Sequence, residues 1–125
     1  MNILTYENAV KALYCARVFQ ESRVGILFKD SRLLRDKAEY LAKLGHGKIY
    51  SAQDYCEIRL WNGSSIILRP LTVTAKGLRF DYVLYDSEID TGIFNVIIEP
   101  IEESSRMETM FTDLMDTFEP KRLFE

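Results

Sequence analysis

Apolar positions recur along this chain in two periods, and the change from one to the other marks the elements. Val10, Leu13, Tyr14, Arg17 and Val18 follow at helical spacing, with Ala9, Ala12 and Ala16 beside them. The spacing predicts a helix over Tyr6–Gln20, capped by Thr5, with Glu7 at the positive end of its dipole. Arg23-Val-Gly-Ile-Leu-Phe28 is a short apolar run of buried-strand length. The helical period returns over Arg32–Leu44, with Leu33, Leu34, Ala38, Leu41 and Leu44 on one face. Asp30 or Ser31 serves as its N-cap and Gly45 as its C-cap. His46–Tyr50 reads as loop with one short strand at most.

Tyr55–Trp61 and Ser64–Arg69 alternate on either side of Asn62-Gly63, the signature of a hairpin closed by a type I′ turn. That turn sets Trp61 opposite Ser64, Arg59 opposite Ile66 and Glu57 opposite Leu68. Pro70 ends the second strand. A threonine-rich connector leads to Lys76-Gly-Leu-Arg79, then to a strand over Phe80–Tyr85 that delivers Asp86 and Glu88. Ile93–Glu99 fits strand or short helix and stops at Pro100. Ser104 or Ser105 caps a last helix, Arg106–Phe118, whose apolar stripe is Met107, Met110, Phe111, Leu114, Met115 and Phe118. Strand, helix and strand in this order define an α/β domain, with a partly parallel sheet, an edge β-hairpin and helices on both faces.

Composition narrows the function. The 125 residues suffice for one domain with a single core. A formal net charge of −3 argues against a dedicated nucleic-acid binder, whose surface must be strongly basic. No apolar run reaches transmembrane length and no secretory signal opens the chain, so no membrane partner and a cytoplasmic location are expected. Cys15 and Cys56 stand far apart with a single histidine, His46, which fits neither a zinc site nor a disulfide framework.

The chemistry concentrates at one place. Ligands of open α/β sheets bind at the C-terminal ends of the strands, which directs attention to Asp86. Asp86 and Glu88 are the candidate metal-binding acids, the bland alternative being acids that end a strand. Lys76 and Arg79 are the candidate phosphate or nucleic-acid contacts, or else a solvated loop. Trp61, Met107, Met110 and Phe111 are the candidate partner surface, or else core.

The segment Trp61-Asn-Gly-Ser-Ser-Ile-Ile-Leu-Arg-Pro, followed by Ala75-Lys-Gly-Leu-Arg-Phe-Asp-Tyr-Val-Leu-Tyr-Asp-Ser-Glu, resembles the middle of the ATPase domain of phage terminase large subunits, the helicase-related motors that package DNA. There an "NGS-apolar" hairpin precedes a loop reading roughly R-G-x-x-x-D and a Walker B strand ending in Asp-Glu. The resemblance spans about Tyr6–Glu88. It implies a truncated P-loop-NTPase-like core with Asp86 toward Mg²⁺. Two departures go against catalysis. No G-x-x-x-x-G-K-[ST] occurs in the sequence, and Ser87 stands where the resemblance calls for the catalytic glutamate. The expectation is a phage or mobile-element protein that binds a protein partner or a second copy of itself without a cofactor. One alternative is a fragment of a split packaging ATPase, which would need Mg²⁺ and ATP. The other is a nucleic-acid-binding accessory protein.

Overall fold

The structure is a computed structural model and describes residues 3–29, 34–52, 55–70, 79–86, 99–103 and 105–117. Its elements are α1 (Tyr6–Val18), β1 (Arg23–Phe28), α2 (Leu34–Gly45), β2 (Lys48–Ala52), β3 (Tyr55–Arg59), β4 (Ser65–Pro70), β5 (Tyr82–Tyr85), α3 (Glu99–Glu103) and α4 (Glu108–Met115). Five strands form one mixed sheet in the order β2-β3-β4-β1-β5. β1 runs parallel to both β4 and β5, while β2, β3 and β4 pair antiparallel. The sheet is therefore partly parallel with hairpins at one edge, as the sequence pattern predicts.

Alternation along the strands divides the core. Val24, Ile26 and Phe28 of β1, with Ile58, Ile66, Leu68 and Leu84, face α1, α2 and α4. The opposite face carries Leu27, Ile67, Val83 and Tyr85, covered in part by Phe80 and by Ile101 of α3. The small residues Ala9, Ala12 and Ala16 are buried and let α1 lie close to the sheet. Thr5 caps α1, its Oγ1 accepting from the Asn8 N–H at 3.0 Å, which satisfies one of the orphan donors of the first turn.

Five local expectations are corrected. The hairpin register is Arg59 to Ser65, Ile58 to Ile66 and Glu57 to Ile67, one residue away from that of a two-residue turn. Leu60 and Ser64 close a three-residue loop (Leu60 N–H to Ser64 O, 2.8 Å). Only Gly63 in it has positive φ, +85°, the arrangement of a turn followed by a glycine bulge. At the end of α2, Gly45 stays helical and buried, where an added Cβ would meet Leu13 at 2.8 Å; the left-handed residue is His46, φ 54°. Pro100 lies in the first turn of α3 and so begins a helix, a position where its missing N–H costs nothing. α1 stops at Val18, and α4 starts after Met107 without a side-chain cap, Ser105 bonding back to the Ile101 carbonyl. The expected caps Asp30, Ser31 and Ser104 and the segment 93–98 lie outside the described residues. Among the described residues no helix is long and apolar enough to cross a membrane.

Candidate functional site

The strands β1 and β5 end side by side, and the chain around their C-terminal ends encloses a pocket of about 550 Å³. Its floor is apolar: Ile26 and Phe28 from β1, Ala9 from α1 and Leu41 from α2. Its rim is polar. Thr5 and Tyr6 come from the start of α1, Asp36, Lys37 and Tyr40 from α2, and Lys29 and Asp86 from the strand ends. This is the location that parallel α/β topology predicts for a ligand, because strand ends and helix N-termini converge there.

Asp86 occupies the anticipated position. Its backbone N–H donates to the Leu27 carbonyl at 3.2 Å, extending the parallel ladder by one step. Its carboxylate Oδ2 accepts from the Lys29 backbone N–H at 2.6 Å. One oxygen is thus committed to holding the two strand ends together. Tyr6 and Tyr40 meet across the rim, rings 5.4 Å apart between centroids and hydroxyls hydrogen-bonded. That bond to Tyr40 pushes the Tyr6 phenol up to about 12, and the pair closes α1 against α2. The arrangement sets two lysines, Lys29 and Lys37, and two carboxylates, Asp36 and Asp86, around an apolar floor, a lining suited to a small molecule with an apolar body and a few polar groups.

The other predicted site residues scatter. Arg79 is exposed at the opposite end of β5; Lys76, Ser87 and Glu88 lie outside the described residues. Among the described residues no cluster of three His, Cys, Asp or Glu side chains has metal-binding geometry. Phe111 is corrected from surface to core: it is fully buried and packs against Phe19 and, stacked at 5.1 Å between centroids, against Tyr82. Met107 is half-buried, its N–H donating to the Asp81 carbonyl at 2.9 Å, whereas Met110 is half-exposed.

Trp61 departs most from a core reading. The shifted register puts it in the hairpin loop, 74% exposed, beside the C-terminal end of α1, where Val18 is 58% exposed. Ile66 and Leu68, which a type I′ register sets on the same face, are fully buried instead. The loop beneath Trp61 is held firmly. The Asn62 amide donates to the carbonyls of Ala16 (2.8 Å) and Arg17 (3.0 Å), and its oxygen accepts from the Ser64 N–H (3.1 Å). The Ser64 hydroxyl donates to the Phe19 carbonyl at 2.8 Å and accepts from the Ser22 N–H at 3.0 Å. Sequence reasoning missed this clamp because its partners are backbone carbonyls of a distant helix, which leave no mark on side-chain pattern. The pocket thus lies at the carboxyl ends of β1 and β5, and the exposed tryptophan lies at the other end of the sheet.

No protein-family model matches the chain, and neither curated proteins nor solved structures give a match.

Proposed function

We propose that this chain is a non-catalytic protein-binding module, phage or mobile-element encoded, built on a degenerate terminase-like ATPase core and working in the host cytoplasm without a cofactor. The observation that carries the proposal is Trp61, a large aromatic side chain 74% exposed on a loop fixed by hydrogen bonds from both sides. An indole covers roughly 200 Å², so burying its exposed part against a partner is worth about 4 kcal/mol at ~25 cal/mol per Å². Because the loop is already ordered, little of that gain is lost to fixing it on binding. Rigid aromatic anchors of this kind dominate binding energy at interfaces. The commitment of Asp86 to the Lys29 N–H supports a structural use of the carboxylate that the resemblance assigns to Mg²⁺. The test is site-specific photo-crosslinking in the source cells. A crosslinker replacing Trp61 captures one discrete protein, and the same group replacing Glu39 on the exposed face of α2 does not. Equal or diffuse capture at both positions refutes the reading.

A second reading is favoured by the pocket itself. Its place at the ends of β1 and β5, between two lysines and the start of α1, suits a nucleotide whose phosphate loop comes from another polypeptide, making the chain part of a split packaging ATPase. A thermal-shift titration with Mg²⁺ and ATP separates the two. A ligand at 100-fold its Kd stabilises by about 2.7 kcal/mol, and a shift that vanishes in Asp86→Ala selects the second reading.

A further inference from the structure

The β2 edge of the sheet carries a feature that the Trp61 surface does not use. β2 is the outermost strand, paired only to β3 among the described residues, with four of its five residues exposed and no proline. Every second residue of an edge strand turns its N–H and C=O outward, a template for another strand. On the face away from α1 and α2, Lys48 of β2 lies directly opposite Arg59 of β3. Like charges facing each other across a ladder oppose folding, and Glu57 offsets one of them, held by Arg59 at 2.7 Å. The Arg59 guanidinium also lies 4.0 Å over the ring of Tyr50, which is 44% exposed. That contact and the Glu57 bond hold the guanidinium beside Tyr50. On the other face of β2, half-buried Ile49 gives the edge an apolar ledge.

We infer that the β2 edge receives an extended acidic peptide of a partner protein as an added strand, its carboxylates meeting Lys48 and Arg59 and its alternate apolar side chains lying against Ile49. Backbone pairing supplies affinity and the two faces supply selection for alternating acidic and apolar residues. Charge decides among occupants. A second copy of this chain would bring the same strand, which carries Lys48 and no acid to complement it. A nucleic acid would meet the cations but has no groups to pair with the outward N–H and C=O ladder. The surface is separate from Trp61 and stands or falls independently of it.

The probe is a fluorescein-labelled, end-blocked peptide of alternating Glu and Val, as long as β2, titrated with the purified protein by fluorescence anisotropy. The expected result is saturable binding that weakens as salt is raised and falls at least about tenfold in Lys48→Glu/Arg59→Glu. That variant in turn binds the alternating Lys and Val peptide, a rescue that also shows it is folded. The Glu and Val peptide N-methylated at every residue, which keeps its charge but loses the N–H donors of both its edges, does not bind. Four results overturn the inference. They are no saturation at about 1 mM peptide, equal binding of the N-methylated peptide, displacement of the peptide by oligo-dT at lower concentration, and a protein dimer that the charge reversal abolishes.

Discussion

The clamp beneath Trp61 can be tested by changing one atom. Asn62 donates two hydrogen bonds to the last carbonyls of α1 and accepts one from Ser64. Each such bond contributes about 1 kcal/mol net, so Asn62→Ala costs about 2–3 kcal/mol. Asn62→Asp keeps the shape and the bond from the Ser64 N–H but turns an oxygen toward the Ala16 and Arg17 carbonyls. It loses the two donated bonds, about 2 kcal/mol, and sets a partly buried negative charge at the negative end of the helix dipole, about 1–2 kcal/mol more. The aspartate variant is therefore expected to be less stable than the alanine variant, by about 3–4 kcal/mol against wild type. With an unfolding entropy of ~2.1 cal/mol/K per residue, each kcal/mol moves Tm by about 4 °C. The alanine variant thus melts about 8–12 °C lower, and the aspartate variant about 12–16 °C lower. The sign with pH follows. The folded state favours the neutral acid, which can donate, so its folded pKa lies above the unfolded value of about 3.9. The deficit is full at neutral pH and shrinks as pH falls through the folded pKa. Urea melts followed by circular dichroism from pH 7 down to about 4 read both effects. An Asn62→Asp variant within about 0.5 kcal/mol of wild type would show that the amide does not bond α1 and that the loop is not fixed as described.

Other expectations concern the core. Cys15 and Cys56 are both buried thiols, so an aromatic disulfide reagent is expected to label neither in native protein and both in denaturant; rapid native labelling would contradict this. Burial pushes the Cys15 thiol from 9.0 up to about 12. Stability is therefore unaffected below pH 9 and declines as pH rises toward 12, because the unfolded chain releases a proton that the folded one keeps; Cys15→Ala shows a smaller decline in urea melts over that window. Asp81 is buried, with Oδ1 accepting from Arg106 at 2.8 and 2.9 Å and Oδ2 from the Arg23 N–H at 2.8 Å. Asp81→Ala is expected to cost about 2–3 kcal/mol, because it strands a backbone donor. Arg106→Ala costs about 1 kcal/mol, since the arginine is largely solvated, and equal losses in denaturant melts would refute the ordering. At Gly25 an added Cβ would lie 2.6–2.8 Å from three atoms of the Phe80 ring. Gly25→Ala is thus expected to destabilise by about 1–3 kcal/mol, with Phe80→Leu relieving part of the loss.

The elements that position the pocket were legible because each rests on local chemistry. Thr5 before an amphipathic run, the apolar stretch of β1 and the strand ending at Asp86 carry their own signals, and Asp86 lies where the topology requires. Its neighbours were not legible. Tyr6, Lys37 and Tyr40 reach the rim from two helices that meet only after folding, and no spacing in the chain joins them. The hairpin misled for a related reason. Asn-Gly usually marks a two-residue turn, but here the Asn62 side chain serves α1, 46 residues away at Ala16. That long-range bond accompanies a three-residue loop, which shifts the register by one and turns Trp61 outward. At the end of α2, packing against Leu13 kept Gly45 helical and passed the left-handed position to His46.

Trp61 is the proposed anchor for a protein partner. Its most direct test is calorimetric titration of the partner captured at position 61 against wild-type protein and Trp61→Ala. Trp61 is the chain's only tryptophan, so its emission can be followed in the same samples when the partner's own signal is subtracted. Binding is expected to shift the emission to the blue, and Trp61→Ala to lose at least about 30-fold in affinity, the roughly 2 kcal/mol expected of an anchor residue. Equal affinity of the two proteins, with the Trp61 emission unmoved, would contradict it.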